Sequence, residues 1–509
     1  MSQGSDGFQK SALALPAMPA PGVQVDDDVP VGEGAFWVRH LLLLACGVAL
    51  MLSAVRAVRG IREEASIALN HVSGAWATLA LDFARGEVYR PLISDGGYGG
   101  TRYFPLHFVL HGLLIKLGLS PLVAGHALSI AALIALLCGA YALLRCLRVP
   151  AAFAGPGAIL LLANPPIQGA LITIRGDVLA CAFNVCGLAF ALSDERARRR
   201  WLAPVLFGLA ILTKQTAIYG LVATAVAIAI RGDRKRAFRL AAGTISLVAI
   251  GVMATQLASG GTFLGVIAAC SSGGATLRTI ALAPIRMFNF AYPPDVALVV
   301  LGLAGLFVVA RSALLEIPAL YLISTACVTV VLFGSPGVDE NHFLDLDVAI
   351  VLFLVAEAAK GRLKGAFAPA ALALAALGFC GSLALARVVP QRQIVSQVLE
   401  EAGSSAGPLL SENPWLAILA HERPYVLDPF TLKLVGDRDP RVREDLLRKL
   451  DEHFFRAVIL KNDLFDDFVY KDWYRDVHFG PGFSERLLAN YELVARHSDQ
   501  FYVYRPRTR

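Results

Sequence analysis

Charged residues are scarce in this chain. Asp, Glu, Lys and Arg make up 17% of its 509 residues, whereas 56% are hydrophobic and the mean hydropathy is +0.59. A soluble fold has no way to bury that much apolar surface. Apolar runs long enough to cross a bilayer recur between Leu41 and about Ala386. The sequence therefore predicts that the membrane is the solvent for most of the chain.

Several familiar sequence signals are missing as well. The eight cysteines stand singly in or beside apolar segments without metal-ligand spacing, which is typical of small buried apolar residues. The net charge of +6 is spread over short basic clusters without interleaved aromatic residues, which argues against nucleic-acid binding. The chain has no evident internal repeat, so an inverted-repeat transporter gains no support.

The amino-terminal segment lacks both periodicity and a signal peptide. Residues 1–38 are rich in Ala, Pro, Gly and Asp, which predicts a disordered cytoplasmic tail. The first apolar run begins too late for a secretory signal. We therefore expect that run to be a retained first span.

Positive charge in the short loops sets the predicted orientation, because Lys and Arg are enriched on the cytoplasmic side. The basic clusters are Arg145 with Arg148, 196–200, 231–239, Arg311 and 360–364. Fitting apolar runs between them gives about eleven spans with the amino end inside, at 41–58, 121–145, 151–166, 178–193, 201–213, 216–230, 238–257, 294–311, 315–333, 343–359 and 366–388. The long outer loop, 59–120, includes a short apolar stretch opened by Pro105 that we expect to be an interfacial or re-entrant helix.

Charge density rises beyond residue 390. Residues 390–509 alternate apolar runs such as FFRAVILK with helix-like stretches such as REDLLRKLDEHF, and they end in the hairpin-like YELVARHSDQFYVYRP. The predicted fold is therefore an all-α polytopic membrane bundle, residues 39–389, followed by a small α/β extracytoplasmic domain.

The conspicuous polar residues gather on the predicted outer side. In the first outer loop, Glu63 and Glu64 follow the first span, and Arg102 precedes the segment Tyr103–Leu106. A carboxylate that faces a cavity at a membrane surface suits a general base. The alternative is that both glutamates simply follow Arg62 into solvent.

Two further outer positions carry cations. Arg175 and Asp177 begin the fourth span, and Lys214 with Gln215 lies between two short spans whose other ends are basic. Arg175 can bind phosphate through its fork of donors, and Asp177 can hold a sugar hydroxyl or a metal. An outer lysine is an exception to the positive-inside rule, and its ammonium suits a lipid phosphate. The plainer alternatives are an interfacial ion pair for Arg175 and Asp177, and snorkelling to lipid headgroups for Lys214.

A polar segment stands at the mouth of the tenth span, where GSPGVDENHFLDLDVA holds Asp339, Glu340, His342 and Asp345. Such residues bind a divalent cation or sugar hydroxyls. A solvated loop before a helix start fits the pattern equally well. A divalent metal is therefore one of three open interpretations.

The order of these motifs resembles the GT-C superfamily of membrane glycosyltransferases, particularly the bacterial family 39 type related to protein mannosyltransferases and lipid A aminoarabinose transferases. Glu63-Glu64 stand where that pattern has an acidic residue after the first span, and Tyr103-Phe104-Pro105-Leu106 is similar to its Tyr-Pro-Pro-Leu segment. Leu212-Thr213-Lys214 matches a Leu-Thr-Lys signature, the most specific short match. Asn341 to Asp345 resembles a late Asn-Tyr-Phe-Leu-Glu segment, with His342 in place of the tyrosine.

The resemblance implies an inverting sugar transfer from a polyprenyl-phosphate donor in the lipid to a cell-envelope acceptor, on the outer face of the inner (cytoplasmic) membrane. A divalent metal is the one cofactor considered. The alternatives are a transporter or flippase of lipid-linked saccharides, which should carry charges near the bilayer midplane, and a non-catalytic scaffold. The candidate base is Glu64 or Glu63, and the candidate substrate-binding residues are Arg102, Arg175, Asp177, Lys214, Gln215, His342 and Asp345.

Overall fold

The structure is a computed structural model that describes residues 33–63, 71–193, 201–271, 275–335, 337–363, 376–377, 380, 392–403, 407–464, 471–497 and 501–508. The side chains of residues 59–63 are outside this description, and Glu64 lies outside it altogether. The same holds for the predicted tail up to residue 32 and for most of the predicted last span.

Helices build the first part of the chain. Several of them begin with proline, whose fixed φ suits the first helical turn and whose missing N–H leaves no intrahelical bond unmade there. The helices are α1 (Glu33–Glu63), α2 (His71–Ala84), α3 (Pro105–Lys116), α4 (Pro121–Cys146), α5 (Ala151–Leu160), α6 (Pro165–Ala170), α7 (Asp177–Leu192), α8 (Leu202–Thr213), α9 (Tyr219–Ile230), α10 (Arg234–Ala258), α11 (Thr262–Ser271), α12 (Leu277–Ala281), α13 (Ala283–Phe290), α14 (Pro293–Val308), α15 (Ile317–Phe333) and α16 (Leu344–Ala359). Short 3-10 turns lie at Leu161–Ala163, Ala313–Leu315 and Glu340–Phe343.

Ten of the eleven predicted spans fall on these helices, with α5 and α6 sharing one of them. By length and composition, His40–Val58 of α1, all of α4 and all of α10 can cross a membrane, and a further set of apolar helices has 10–17 residues. Helix α3 begins at Pro105, the residue predicted to open the interfacial helix. The polytopic helical bundle is therefore confirmed.

Glycines show how the helices run, because a missing side chain lets a neighbouring helix approach closely. Three pairs of neighbouring helices are parallel, namely α4 with α7, α8 with α10, and α14 with α16. In each pair, a later residue of one helix contacts a later residue of the other. The contacts are Gly125 with Ile174, Gly139 with Cys186, Gly208 with Leu247, Gly251 with Leu212, Gly302 with Ile350, and Gly305 with Phe353. The end of α8 meets the starts of α7 and α16, where Lys214 contacts Asp177 and Asp345. The starts of α4, α7, α14 and α16 therefore lie at one end of the bundle with the ends of α8 and α10, and we call this the polar end.

The opposite end of the bundle is basic. Lys360 and Arg362 pair there with Glu316 and Glu357 at distances between 2.5 and 3.1 Å. The basic turn between α9 and α10 lies at the same end. Positive loops and the polar motifs are thus on opposite ends of the bundle, as the sequence predicted.

A small α/β unit, residues 392–508, follows the bundle and is called the C-terminal domain. Its sheet has the order β3-β4-β6-β5, in which β3 and β4 are parallel and the other pairs antiparallel. The predicted terminal hairpin is confirmed as β5 and β6. The strands are β3 (Leu409–Ser411), β4 (Ala457–Leu460), β5 (Tyr491–His497) and β6 (Phe501–Pro506), and the helices are α17 (Arg392–Ala402), α18 (Pro414–Leu419), α19 (Pro429–Gly436), α20 (Pro440–Asp451), α21 (Lys471–Asp476) and α22 (Phe483–Asn490).

The segment between α2 and α3, which contains the two-residue strands β1 (Ile93–Ser94) and β2 (Gly97–Tyr98), is joined to the C-terminal domain. Arg90 forms a buried ion pair with Asp82 at 2.6 Å and donates to the Pro424 carbonyl at 2.7 Å. The Tyr98 backbone donates to and accepts from residues 425–427. Residues of α2, α3 and the C-terminal domain share one apolar cluster. The first loop and the C-terminal domain therefore cover the polar end together.

A buried carboxylate organises the C-terminal domain. Glu412, directly after β3, accepts from the Lys461 backbone N–H, the Trp473 indole and the Tyr474 hydroxyl at 2.7 to 3.0 Å, and lies 2.7 Å from Nδ1 of His478. Burial opposes the charged form of Glu412, but these partners outweigh it and lower the pKa of the carboxyl to about 2.

Replacing this carboxylate should weaken the domain in a pH-dependent way. Glu412→Gln is expected to lower the free energy of unfolding at neutral pH by about 3 kcal/mol, because the lowered pKa is a stability contribution. That contribution is complete above the ordinary glutamate pKa and is lost as the pH falls toward 2, so the difference between variant and wild type should shrink below pH 4.5. Thermal unfolding followed by tryptophan fluorescence measures it. Exposed Glu444→Gln is the control, and an equal loss in both variants would contradict the assignment.

Candidate functional site

A cavity of about 280 Å³ opens at the polar end of the bundle. It lies between the end of α1, the α6 to α7 segment, the start of α14 and the start of α16. Its walls combine apolar helix ends with several polar side chains. The lining residues that carry polar side chains are Arg56, Gln168, Thr173, Arg175, Asp177, Tyr292, Glu340 and Asn341.

An ion-pair hub joins three helix ends beside the cavity. The Lys214 ammonium, at the end of α8, lies 2.7 Å from Asp177 at the start of α7 and 3.7 Å from Asp345 at the start of α16. The Asn341 amide also donates to Asp177 at 3.1 Å. Because the three side chains are mostly buried, each charge depends on the others for its stability. The sequence matched Lys214 to a motif but did not predict these partners.

Two arginine side chains line the cavity and, unlike Lys214, form no ion pair with a described residue. Both Arg56 and Arg175 line the cavity. Arg56 lies near the carboxyl end of α1, and Arg175 lies just before α7. Among the described residues, neither group takes part in an ion pair, and the buried Nε of each has no hydrogen-bond partner. Arginine forks of this kind bind phosphate oxygens in pairs. Arg56 was missed in the sequence because it falls inside the predicted first span, although a charge in a span is itself a signal of function.

Carboxyl groups complete the cavity mouth. Glu340 lines the cavity, and the neighbouring Asp339 carboxylate accepts from the Glu340 backbone N–H at 2.9 Å. Burial and the adjacent Asp339 raise the pKa of the Glu340 carboxyl to about 7, while Arg175 acts in the opposite direction. Glu340 can therefore gain or lose a proton near neutral pH. The sequence placed Glu340 in the right loop without assigning it a role.

A second buried polar group lies behind the cavity. Asn164 caps α6 by accepting from the Ile167 N–H at 3.1 Å and donates to the fully buried Asp347 of α16 at 2.6 Å. Asp295, at the start of α14, is also fully buried and accepts from the Tyr292 N–H at 2.8 Å. These contacts fix the starts of α6, α14 and α16 around the cavity.

The other residues predicted to bind substrate, Arg102, Gln215 and His342, are not among the residues that line the cavity. Arg102 is outside the cavity wall and donates to the Gly337 carbonyl at 2.8 Å. Gln215 is half-buried in the turn after Lys214. His342 is half-buried and within electrostatic range of Asp177 and Lys214. The side chain of Glu63, like all of Glu64, is outside the described residues, and their catalytic role stays a prediction.

Metal binding also stays a prediction. Within the described ranges, no group of three or more His, Cys, Asp or Glu side chains is arranged to hold a metal ion. Asp177 and Asp345 instead have Lys214 as their cation.

A model of Glycosyltransferase family 87 matches residues 104–336, which include α3 through α15. The matched range contains Arg175, Asp177 and Lys214, but neither Arg56 nor the acidic pair of the first loop. No curated protein matches this chain. The matching family is thus a glycosyltransferase family, as the resemblance implied, and the narrower family 39 assignment stays a prediction.

Solved structures of other proteins align with most of the chain. ArnT from Cupriavidus metallidurans bound to undecaprenyl phosphate has a TM-score of 0.55 and 14% identity over 92% of this chain and 98% of its own. The archaeal oligosaccharyltransferase AglB from Archaeoglobus fulgidus, in complex with an inhibitory peptide and a dolichol-phosphate, has a TM-score of 0.55 and 12% identity over 84% and 70% of the two chains. At these identities the matches establish the fold, and they confirm the predicted bundle with its C-terminal domain.

The hub makes a prediction about Lys214. Lys214→Met should lower the free energy of unfolding by about 3–5 kcal/mol, because it leaves the buried Asp177 and Asp345 without their cation. Adding Asp177→Asn removes one of the stranded charges and should restore part of the loss. Denaturation in mixed micelles measures both variants. No recovery in the double variant would mean that Lys214 acts on something other than these carboxylates.

Proposed function

We propose that this chain, a membrane glycosyltransferase of the GT-C superfamily, transfers a sugar from a polyprenyl-phosphate donor to an acceptor on the extracytoplasmic face of a cell membrane. Two of its structural neighbours contain undecaprenyl phosphate or a dolichol-phosphate. The acceptor belongs to the cell envelope and is a glycan, a lipid or a protein. The reaction inverts the configuration at the sugar C1.

The observation that carries the proposal is that two guanidinium groups, Arg56 and Arg175, line one cavity at the end of an apolar bundle and form no ion pair with any described residue. A lipid phosphate can place its headgroup between them while its chain stays among the apolar helices. As the bond from C1 to the phosphate oxygen breaks, charge develops on the phosphate. Fixed cations at that position stabilise the transition state without reorganising.

Lys214 receives a different role from the one that its motif suggested. Its ammonium already faces two carboxylates, so it has little charge left for a phosphate. We assign phosphate binding to Arg56 and Arg175 and assign to Lys214 the alignment of α7, α8 and α16. Asp177 and Asp345 then serve the hub, and Asn341 links it to the cavity wall.

The acceptor is activated by Glu64 or Glu63. Helix α1 continues from Arg56 to Glu63, so at 1.5 Å per residue the glutamate backbone lies roughly 10 Å beyond the arginine along the axis. That backbone separation leaves room for a sugar ring beyond a phosphate held at Arg56. The carboxylate takes the acceptor proton as the acceptor oxygen attacks C1 opposite the departing phosphate.

Orientation follows from the charge distribution. The basic end of the bundle faces the cytoplasm by the positive-inside rule. The cavity and the C-terminal domain then face outward, in the inner (cytoplasmic) membrane. Sugar donors at that face come from lipid, which agrees with a cavity that opens beside apolar helices.

Arginine substitutions test the function directly. Arg175→Ala and Arg56→Ala should each reduce transfer of labelled sugar from a polyprenyl-phosphate donor by roughly 10²- to 10³-fold, as for removal of a fixed transition-state donor. Glu64→Gln or Glu63→Gln should reduce it by roughly 10²- to 10⁴-fold. Arg441→Ala is the control, since Arg441 is exposed, pairs with Asp439 of its own turn and is not among the cavity-lining residues. Normal turnover in all four site variants would refute the proposal.

Glu340 adds a pH dependence. With a pKa of about 7, its carboxyl is protonated below neutral pH and ionised above it. A bound phosphate should therefore lose affinity as the pH rises through 7, because a carboxylate then faces it across the cavity. Binding of polyprenyl phosphate measured from pH 6 to pH 8.5 should show this decline in the wild type, and Glu340→Gln should flatten it. An unchanged slope in Glu340→Gln would exclude this group.

A further inference from the structure

The cavity wall includes a loop that the C-terminal domain touches. This late loop, residues 334–335 and 337–343, carries Glu340 and Asn341 into the cavity. Asn341 in turn donates to Asp177 of the ion-pair hub. The position of the late loop therefore determines the shape of one side of the cavity.

Phe430 of the C-terminal domain packs directly on this loop. Gly337 has a φ of +69°, and a Cβ built on it would lie 2.4 Å from the Phe430 ring, so only glycine allows the ring this close. Phe430 is the second residue of α19, whose cap Asp428 accepts from the Phe430 N–H at 3.0 Å. The ring is thus held by a capped helix and pressed against the loop backbone.

Arg102, in the segment between α2 and α3, contacts both the Phe430 ring and the late loop. Its guanidinium lies 4.9 Å from the centre of the Phe430 ring and donates to the Gly337 carbonyl at 2.8 Å. The backbone just before Arg102 is fixed to the C-terminal domain, since Thr431 donates to the Gly100 carbonyl at 3.0 Å. Arg102 is therefore anchored on the domain side and reaches across to the late loop.

We propose that Arg102 and Phe430 form a latch through which the C-terminal domain holds the late loop in its donor-binding position. Both are positioning residues, because neither is among the residues that line the cavity. The latch rests on the proposed function for its effect on the donor, but not for its effect on the loop. It also gives Arg102 a role different from the predicted substrate contact.

The latch has a consequence for catalysis. If the loop is released, Glu340 and Asn341 leave the cavity wall while Arg56 and Arg175 keep their positions. At pH 6, where Glu340 is mostly protonated and does not repel a phosphate, the loss of this cavity wall should weaken donor binding, and turnover of bound donor should change little. A residue that bound the departing phosphate would instead lower kcat.

Two kinds of measurement on the full chain in nanodiscs test the latch. At pH 6, Arg102→Ala and Phe430→Ala should weaken binding of polyprenyl phosphate and raise the donor KM about tenfold, the loss of one charge-assisted contact, with kcat near wild type. Phe430→Leu should retain most of the affinity. The matched control is Arg438→Ala, which removes another arginine that donates to a bundle carbonyl, Ala269, at 3.2 Å.

The loop itself is followed without any substrate. Val338, in the late loop, is buried, so Val338→Cys should label slowly with a maleimide over the background of the parent chain. Labelling should rise at least fivefold when Arg102→Ala or Phe430→Ala is added, and stay unchanged with Arg438→Ala. Unchanged labelling with the latch variants would overturn the latch. A different outcome would separate the two proposals. If the latch variants label faster but the wild type neither binds nor uses the lipid donor, the latch stands and the proposed function is refuted.

Discussion

The interaction on which the rest of the site depends is the contact of one buried ammonium with two carboxylates. Lys214 lies 2.7 Å from Asp177 and 3.7 Å from Asp345, and each of the three residues comes from a different helix end. In a bilayer, apolar helices gain little by packing on each other rather than on lipid. Polar contacts that would be costly to break therefore decide which helix ends meet. Here they bring α7, α8 and α16 to one point, and the cavity forms beside it.

Hydropathy and charge predicted the architecture because the bilayer imposes both patterns. A span must be apolar, and its cytoplasmic flank is enriched in Lys and Arg, so ten predicted spans fall on helices and the basic clusters within the described residues share one end. The partners of Lys214 were beyond that reasoning. They lie 37 and 131 residues away along the chain, and only the packing of α7 and α16 against α8 brings them together. Arg56 was missed for a related reason, since the loops were counted for charge and the spans only for apolar residues.

The union of the first loop with the C-terminal domain was also hidden in the sequence. A separate outer domain was predicted because charge density rises beyond residue 390. In the structure, the ion pair of Arg90 with Asp82 and the backbone bonds of Tyr98 join the two parts, and they share an apolar cluster. Their strands are short, so the periodicity that identifies a longer strand is absent. The cover of the polar end is therefore one packed unit built from two distant parts of the chain.

The division of labour among the cations follows from their chemistry. Lysine is a compact point charge that a pair of carboxylates can neutralise, which suits a structural hub. Arginine presents a planar fork whose edges can bind two oxygens at once, which suits a phosphate that arrives and departs. If Lys214 were the phosphate ligand, each catalytic cycle would have to separate it from Asp177 and Asp345 and leave buried charges unpaired. With Arg56 and Arg175 in that role, the hub stays intact while the charge on the phosphate grows between two guanidinium groups that form no ion pair with a described carboxylate and whose buried Nε atoms have no hydrogen-bond partner.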